Sequence, residues 1–184
     1  RDCKNRNGEL AQWLSSVLCH MPRECPIDWF GLENNNFQDR DVHRICAGLL
    51  NRKAQSNLIG LSLSNNSNIT DKCVLILLKT IAKKCHSLQF LNLSGCTKLT
   101  NKTCQCIVDF FGKTYNDDKV QLNYIDLSGC SRINDKGIEI LNQIYLHPQY
   151  TPYNVVVRFY VAGTQWKEAT DAWSKNIILK PAKR

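Results

Sequence analysis

Long hydrophobic runs are missing from this chain. The strongest apolar stretch, Val-Leu-Ile-Leu-Leu from Val74 to Leu78, falls far short of the ~20 residues a bilayer-spanning helix needs. The opening Arg-Asp-Cys-Lys is not followed by the apolar core of a secretory signal, which predicts an intracellular, cytoplasmic protein. The chain does not begin with Met, which predicts a piece of something longer. Motifs that carry chemistry are missing too. There is no Gly-rich phosphate loop, no G-x-S-x-G and no H-E-x-x-H. Cys104 and Cys106 lie two apart, about 200° around a helix, so they diverge rather than converge on a metal. His43 and Cys46 could share a helix face, but no second pair accompanies them. The four histidines, at 20, 43, 86 and 147, lie away from the cysteines that a nucleophile reading would favour. These absences predict a protein that is not an enzyme, with no cofactor and no metal. Zinc-finger, RNP and basic-helix signatures are absent as well, so no specific nucleic acid partner is expected.

Cysteine and positive charge, by contrast, are abundant. The 184 residues carry a net charge of +8, and much of it falls where helices should end, at Arg52-Lys53, Lys83-Lys84 and Lys113. Cations there complement the helix dipole; they also leave open weak binding of nucleic acid or anionic lipid through basic helix ends. The ten cysteines could bind metal, pair as disulfides, act as nucleophiles or hold turns. The chain is too large and too rich in other core material to need a disulfide framework, so the thiols are expected to be reduced.

An internal repeat organises the chain. Pairs of apolar residues two apart occur at Leu61/Leu63, Leu91/Leu93 and Ile125/Leu127, with weaker copies at Phe30/Leu32 and Phe159/Val161. Successive second anchors, at 32, 63, 93, 127 and 161, are 31, 30, 34 and 34 residues apart. Three residues past the anchors stand Asn35, Asn66, Cys96, Cys130 and Thr164; the aliphatic three further on is Ile69, Leu99 or Ile133 in the middle copies, with Phe37 filling that role one residue early in the first. This is the pattern L-x-x-L-x-L-x-x-N/C-x-L. Between anchors, apolar residues recur at helical spacing, as at Leu75, Leu78 and Ile81. Thr70-Asp71, Thr100-Asn101 and Asn134-Asp135 supply N-cap chemistry before them. Each unit is therefore expected to be strand, turn, helix.

The stretches LSGCTKLTNKTC and LSGCSRINDKGI resemble the cysteine-containing leucine-rich repeats of F-box substrate receptors, and NNSNITDK leans toward the ribonuclease-inhibitor-like subtype. The resemblance covers Trp29 to about Trp173, and no F-box accompanies it. The units are longer than is usual for either subtype, with Tyr115–Lys119 the expected insertion. The expected fold is an α/β leucine-rich-repeat solenoid of about five units with its parallel sheet on the concave side. Residues 1–28 form an N-terminal helical cap, 29–174 the repeats and 175–184 a C-terminal tail. In the cap, Leu10, Trp13, Leu14, Val17 and Leu18 are expected on one buried face. The last strand is expected within Val155–Ala162, after a loop marked by Pro148 and Pro152, and a helix carrying Trp166, Ala169 and Trp173 follows.

Side chains alternate along a strand, so the residues beside the anchors should face outward. One column reads Trp29, Gly60, Phe90, Tyr124, Arg158; the next Gly31, Ser62, Asn92, Asp126, Tyr160. Large aromatics on a face where the repeat does not require them mark a binding surface. Trp29, Phe90, Asn92, Tyr124, Asp126, Arg158 and Tyr160 are the expected contacts to a protein partner. Asn35, Asn66, Cys96 and Cys130 are the expected structural ladder under the turns. The resemblance implies a non-enzymatic interaction module, an adaptor or substrate-recognition part of a ubiquitin-ligase-type assembly; such repeats also occur in microbial effectors that act on host proteins.

Overall fold

A computed structural model of the chain describes residues 8–22, 27–52, 56–114, 120–146, 158–164 and 177–178. Helix α1 (Glu9–His20) precedes a regular alternation: β1 (Trp29–Gly31), α2 (Asp39–Asn51), β2 (Gly60–Ser62), α3 (Asp71–Lys84), β3 (Phe90–Asn92), α4 (Asn101–Thr114), β4 (Tyr124–Asp126), α5 (Asp135–Leu146), β5 (Arg158–Tyr160) and β6 (Ile177–Ile178). The strands form one parallel sheet in chain order. The fold is thus α/β, with a helix returning between each pair of successive strands from β1 to β5. Strand β6 lies within the stretch read as a tail; it extends the backbone ladder of β5 at Phe159↔Ile177 and Tyr160↔Ile178. The inserted stretch 115–119, the prolines before β5 and the helix expected after it lie outside the described residues.

The core lies between the sheet and the helices. The anchors Leu61, Leu63, Leu91, Leu93, Ile125 and Leu127 are all buried, as are Val74, Leu78 and Ile81 of α3 and Ile107, Phe110 and Phe111 of α4. Each strand is short because the chain turns sharply two residues past the second anchor. That position has a left-handed backbone in every unit: Asn34 (φ 58°), Asn65 (57°), Gly95 (69°), Gly129 (72°) and Gly163 (72°). Asn and Gly are the residues that tolerate it.

Past the turns, the first residues of α2, α3 and α4 tie one unit to the next. The Asp39 carboxylate accepts hydrogen bonds from Thr70 N–H (2.7 Å) and Oγ1 (2.6 Å), and Asp71 does the same for Thr100 (2.8 Å each). Asn101 Oδ1 accepts from Asn134 N–H at 3.1 Å. The expected N-caps are therefore only partly local. Thr100 and Asn134 accept from the amides of Lys102 and Lys136 (3.2 Å each), whereas Thr70 makes no side-chain cap and gives its hydroxyl to Asp39.

Helix α1 packs on α2 through Ala11, Leu14 and Leu18. Trp13, expected on that face, is 61% exposed; the contact is made by a narrower stripe. Its narrowness follows from a close backbone crossing. A Cβ on Gly48 of α2 would sit 2.5 Å from the Ser15 carbonyl oxygen and 2.7 Å from its Cα. Gly48→Ala gains about 1 kcal/mol of helix propensity but must push the α1 backbone away, and overpacking of this kind costs about 1–3 kcal/mol. The expected result is a lower urea midpoint at unchanged m-value; a raised midpoint would show that α1 is not held at this crossing.

Candidate functional site

The sheet register aligns Trp29, Gly60, Phe90, Tyr124 and Arg158 in one row, and Gly31, Ser62, Asn92, Asp126 and Tyr160 in the next. The backbones of Arg158 and Tyr160 follow those of Tyr124 and Asp126 on β5; their side chains lie outside the description. The described aromatic side chains of these rows are those of Trp29, Phe90 and Tyr124.

Three rings on that surface touch in sequence. The Phe90 and Tyr124 ring centroids are 5.2 Å apart at 51°, and Trp29 and Phe90 are 6.4 Å apart at 49°. Trp29 and Phe90 are separated by a whole strand, β2, and the indole crosses it. Gly60 makes this possible: a Cβ there would overlap the indole atoms Cε3 and Cζ3. Trp29 remains 55% exposed, while Phe90 and Tyr124 are partly buried. The row is a tilted, self-packed aromatic strip with solvent on its outer side, the geometry that aromatic pairs favour. Gly60 was legible as a member of the row but not as its bed; its sign was a missing side chain between two large ones.

The neighbouring row is engaged in local structure. Asn92 Oδ1 accepts from the Ser94 amide at 2.9 Å, and Asp126 Oδ1 accepts from the Ser128 amide at 2.8 Å. These are Asx turns that end the strands. Asn92 and Asp126 therefore brace the turns, leaving one remaining polar atom each for a partner. The pattern Asn/Asp-x-Ser, starting between the two anchors, carried that signal. Glu33, also on this side, folds its carboxylate over Gly31, where a Cβ would lie 2.9 Å from Oε2.

Beneath the turns runs the ladder. Asn66 Nδ2 donates to Leu32 O (2.9 Å), Cys96 Sγ to Leu63 O (3.4 Å) and Cys130 Sγ to Leu93 O (3.3 Å). Each side chain thus bonds the anchor carbonyl of the preceding unit. Asn66 does more: its Oδ1 accepts from Asn35 N–H (3.1 Å) and Phe37 N–H (2.9 Å), and its Nδ2 also donates to Leu63 O (2.8 Å). Asn35 has no preceding unit and turns its Nδ2 to Glu33 O at 2.9 Å.

Burial works against reactivity at six of the thiols. Burial pushes Cys46 and Cys96 up to about 11, and Cys85 and Cys104 up to about 12. Cys73 and Cys130 are raised further, by burial first and neighbouring thiols second. The eight described cysteines are free. A nucleophilic thiol needs the opposite shift. Among the described residues, no group of three or more His, Cys, Asp or Glu side chains could hold a metal ion, and no helix is long and apolar enough to cross a membrane.

Two of the cations at helix ends are committed internally, while Lys83 and Lys113 are exposed. Arg52 is buried, with Nη2 donating to Pro22 O at 2.9 Å, and Lys84 Nζ donates to Arg52 O at 3.0 Å. These cations satisfy carbonyls at helix C-termini. No protein-family model matches the chain, and no curated protein matches its sequence.

Proposed function

We propose that the protein is a leucine-rich-repeat solenoid and a non-enzymatic module that binds a protein partner through its strand face. The observation that carries this reading is the aromatic strip Trp29–Phe90–Tyr124, with a 55% exposed indole laid across Gly60. Neither the strands nor the ladder needs these rings, because anchors on the opposite side fill the core. Exposed aromatics of this kind dominate binding energy at protein interfaces. The resemblance of the Cys96 and Cys130 units supports a role as adaptor or recognition part of a ubiquitin-ligase-type assembly. The buried free thiols are suited to a reducing, intracellular compartment.

The test is affinity capture from cell extract with mass spectrometry, run in parallel on the wild type and the double variant Phe90→Ala, Tyr124→Ala. Two hot-spot aromatics together are worth about 3–4 kcal/mol, or roughly a 100- to 1,000-fold loss of affinity. Stability should fall by only about 1–2 kcal/mol, since both rings are partly exposed. A partner retained equally well by the folded double variant would sink the strand-face reading.

A further inference from the structure

A second surface lies at the other end of the strands, where the turns after β1 to β4 enter helices. The second residue of each returning helix is a cation: Arg40 in α2, Lys72 in α3, Lys102 in α4 and Lys136 in α5. Lys98 and Arg132 stand in the turns before α4 and α5, and all six side chains are exposed. The fold does not account for them. A cation in the first helical turn opposes the helix dipole, whereas the cations at the helix C-termini complement it. Among the described residues only one of these charges meets a carboxylate, and that at long range. Arg40 comes no nearer than 3.9 Å to Asp41, Lys98 Nζ meets the neutral Asn68 Oδ1 at 2.6 Å, and the other four make no ion pair among the described residues. The carboxylates Asp39 and Asp71 face the next unit, bonded by Thr70 and Thr100.

Because the strands are parallel and in chain order, the four helix-borne cations form a row, one per unit. With helix axes about 8–10 Å apart, the row spans roughly 25–30 Å, the axial length of about eight base pairs. An open cleft of about 390 Å³ interrupts it, lined by Gln38, Asp39, Arg40, Asn68 and Lys98. The residues exposed between the cations, Ser67, Thr97 and Ser131, carry hydroxyls. None of the exposed large apolar side chains, Trp13, Trp29, Leu50, Ile59 and Leu75, lies in these turns or at these helix positions. The edge thus offers phosphate-binding charge and hydroxyls, without an apolar wedge for a bilayer or a ring for an unstacked base.

We propose that this turn edge binds the phosphate backbone of a nucleic-acid duplex, independently of base sequence. The surface is separate from the aromatic strip and does not depend on its function.

The experiment measures binding of the full chain to a fluorescent duplex by anisotropy across a salt series. The charge-matched variants are Lys72→Gln with Lys102→Gln on the edge, and Lys79→Gln with Lys113→Gln on the exposed helix layer. Binding should weaken steeply with salt. The edge pair should reduce low-salt affinity by about ten-fold or more and flatten the log–log slope by about 2, at about 0.9 for each phosphate no longer neutralised. The helix-layer pair should change affinity less than about two-fold. The proposal is overturned if the two pairs lose affinity equally, since net charge alone would then act, or if the wild type does not bind at low salt. It is equally overturned if phosphatidylserine vesicles or polyglutamate, and not the duplex, show the dependence on Lys72 and Lys102.

Discussion

Titration to high pH is expected to unfold this protein within about one and a half pH units above pH 9. Six thiols, on Cys46, Cys73, Cys85, Cys96, Cys104 and Cys130, are raised by burial from 9.0 to about 11 or beyond. Unfolding returns each to its ordinary value. Between the two values the unfolded chain has lost protons that the folded chain keeps. Stability is therefore fully present below about pH 9 and falls as pH rises toward the folded values. Each thiol contributes about 1.4 kcal/mol per pH unit, so six together give a slope approaching ~8 kcal/mol per pH unit, against a total stability on the order of 5–15 kcal/mol. Far-ultraviolet circular dichroism should show a cooperative loss of helix with a midpoint between about pH 9.5 and 10.5, and thiolate absorbance should appear with it. Replacing Cys96 and Cys130 by Ser removes two of the six titrations and should reduce the slope by about a third. A protein still folded at about pH 11.5, or thiolates that appear well before the helix is lost, would show that the thiols ionise in place.

The next largest effect is expected at Asn66. Its side chain is wholly buried and satisfies two amides and two carbonyls. Asn66→Ala leaves all four without those bonds, at about 1–3 kcal/mol for each group that no other partner can reach; a net loss of ~4 kcal/mol is expected. Asn66→Cys restores a donor for the carbonyl but no good acceptor for the amides of Asn35 and Phe37, so about 2–3 kcal/mol should still be lost. Cys96→Ala, at the same position one unit on, should cost only about 1–2 kcal/mol, for a small cavity and one weak thiol bond. The asymmetry has a local cause. In the later units the turn closes on itself, with Leu99 N–H bonded to Cys96 O and Ile133 N–H to Cys130 O at 3.0 Å each. The first turn is one residue shorter, so Phe37 cannot make that bond and borrows the Asn66 oxygen instead. Urea titrations of the three variants would decide the matter; equal losses for Asn66→Cys and Cys96→Ala would remove the first turn as the cause.

The parts of the fold that were legible are those set by spacing. The anchor pairs recur at intervals that only a repeating strand and turn explain, and the position three past them accepts only a small side chain able to bond a carbonyl. The early placement of Phe37 could be read for the same reason. What could not be read depended on neighbouring units. Nothing around Thr70 says that its hydroxyl turns to Asp39 rather than to its own helix. Nothing in the α1 pattern says that Gly48 brings α2 so close that Trp13 is left outside. The aromatic row followed from register, but its indole reaches Phe90 only because Gly60 has no side chain. From the sequence alone Asn92 and Asp126 are expected as partner contacts because they alternate outward; their bonds to the next turn act through a shorter range than that alternation.

The unequal turns also bear on how such a chain can grow by duplication. The joint between β3 and β4 is made of like parts. Gly95 and Gly129 turn alike, with a Cβ on the second only 3.5 Å from the backbone of the first, and a thiol bridges each side. A second copy of Leu93 to Asp126 inserted there would find on both flanks the neighbours it already has. At the joint between β1 and β2 the same insertion would bring a thiol, not an amide oxygen, to the short first turn. Tandem lengthening thus costs less at the middle joint than at the first, where the Asn35 and Phe37 amides would lose their acceptor.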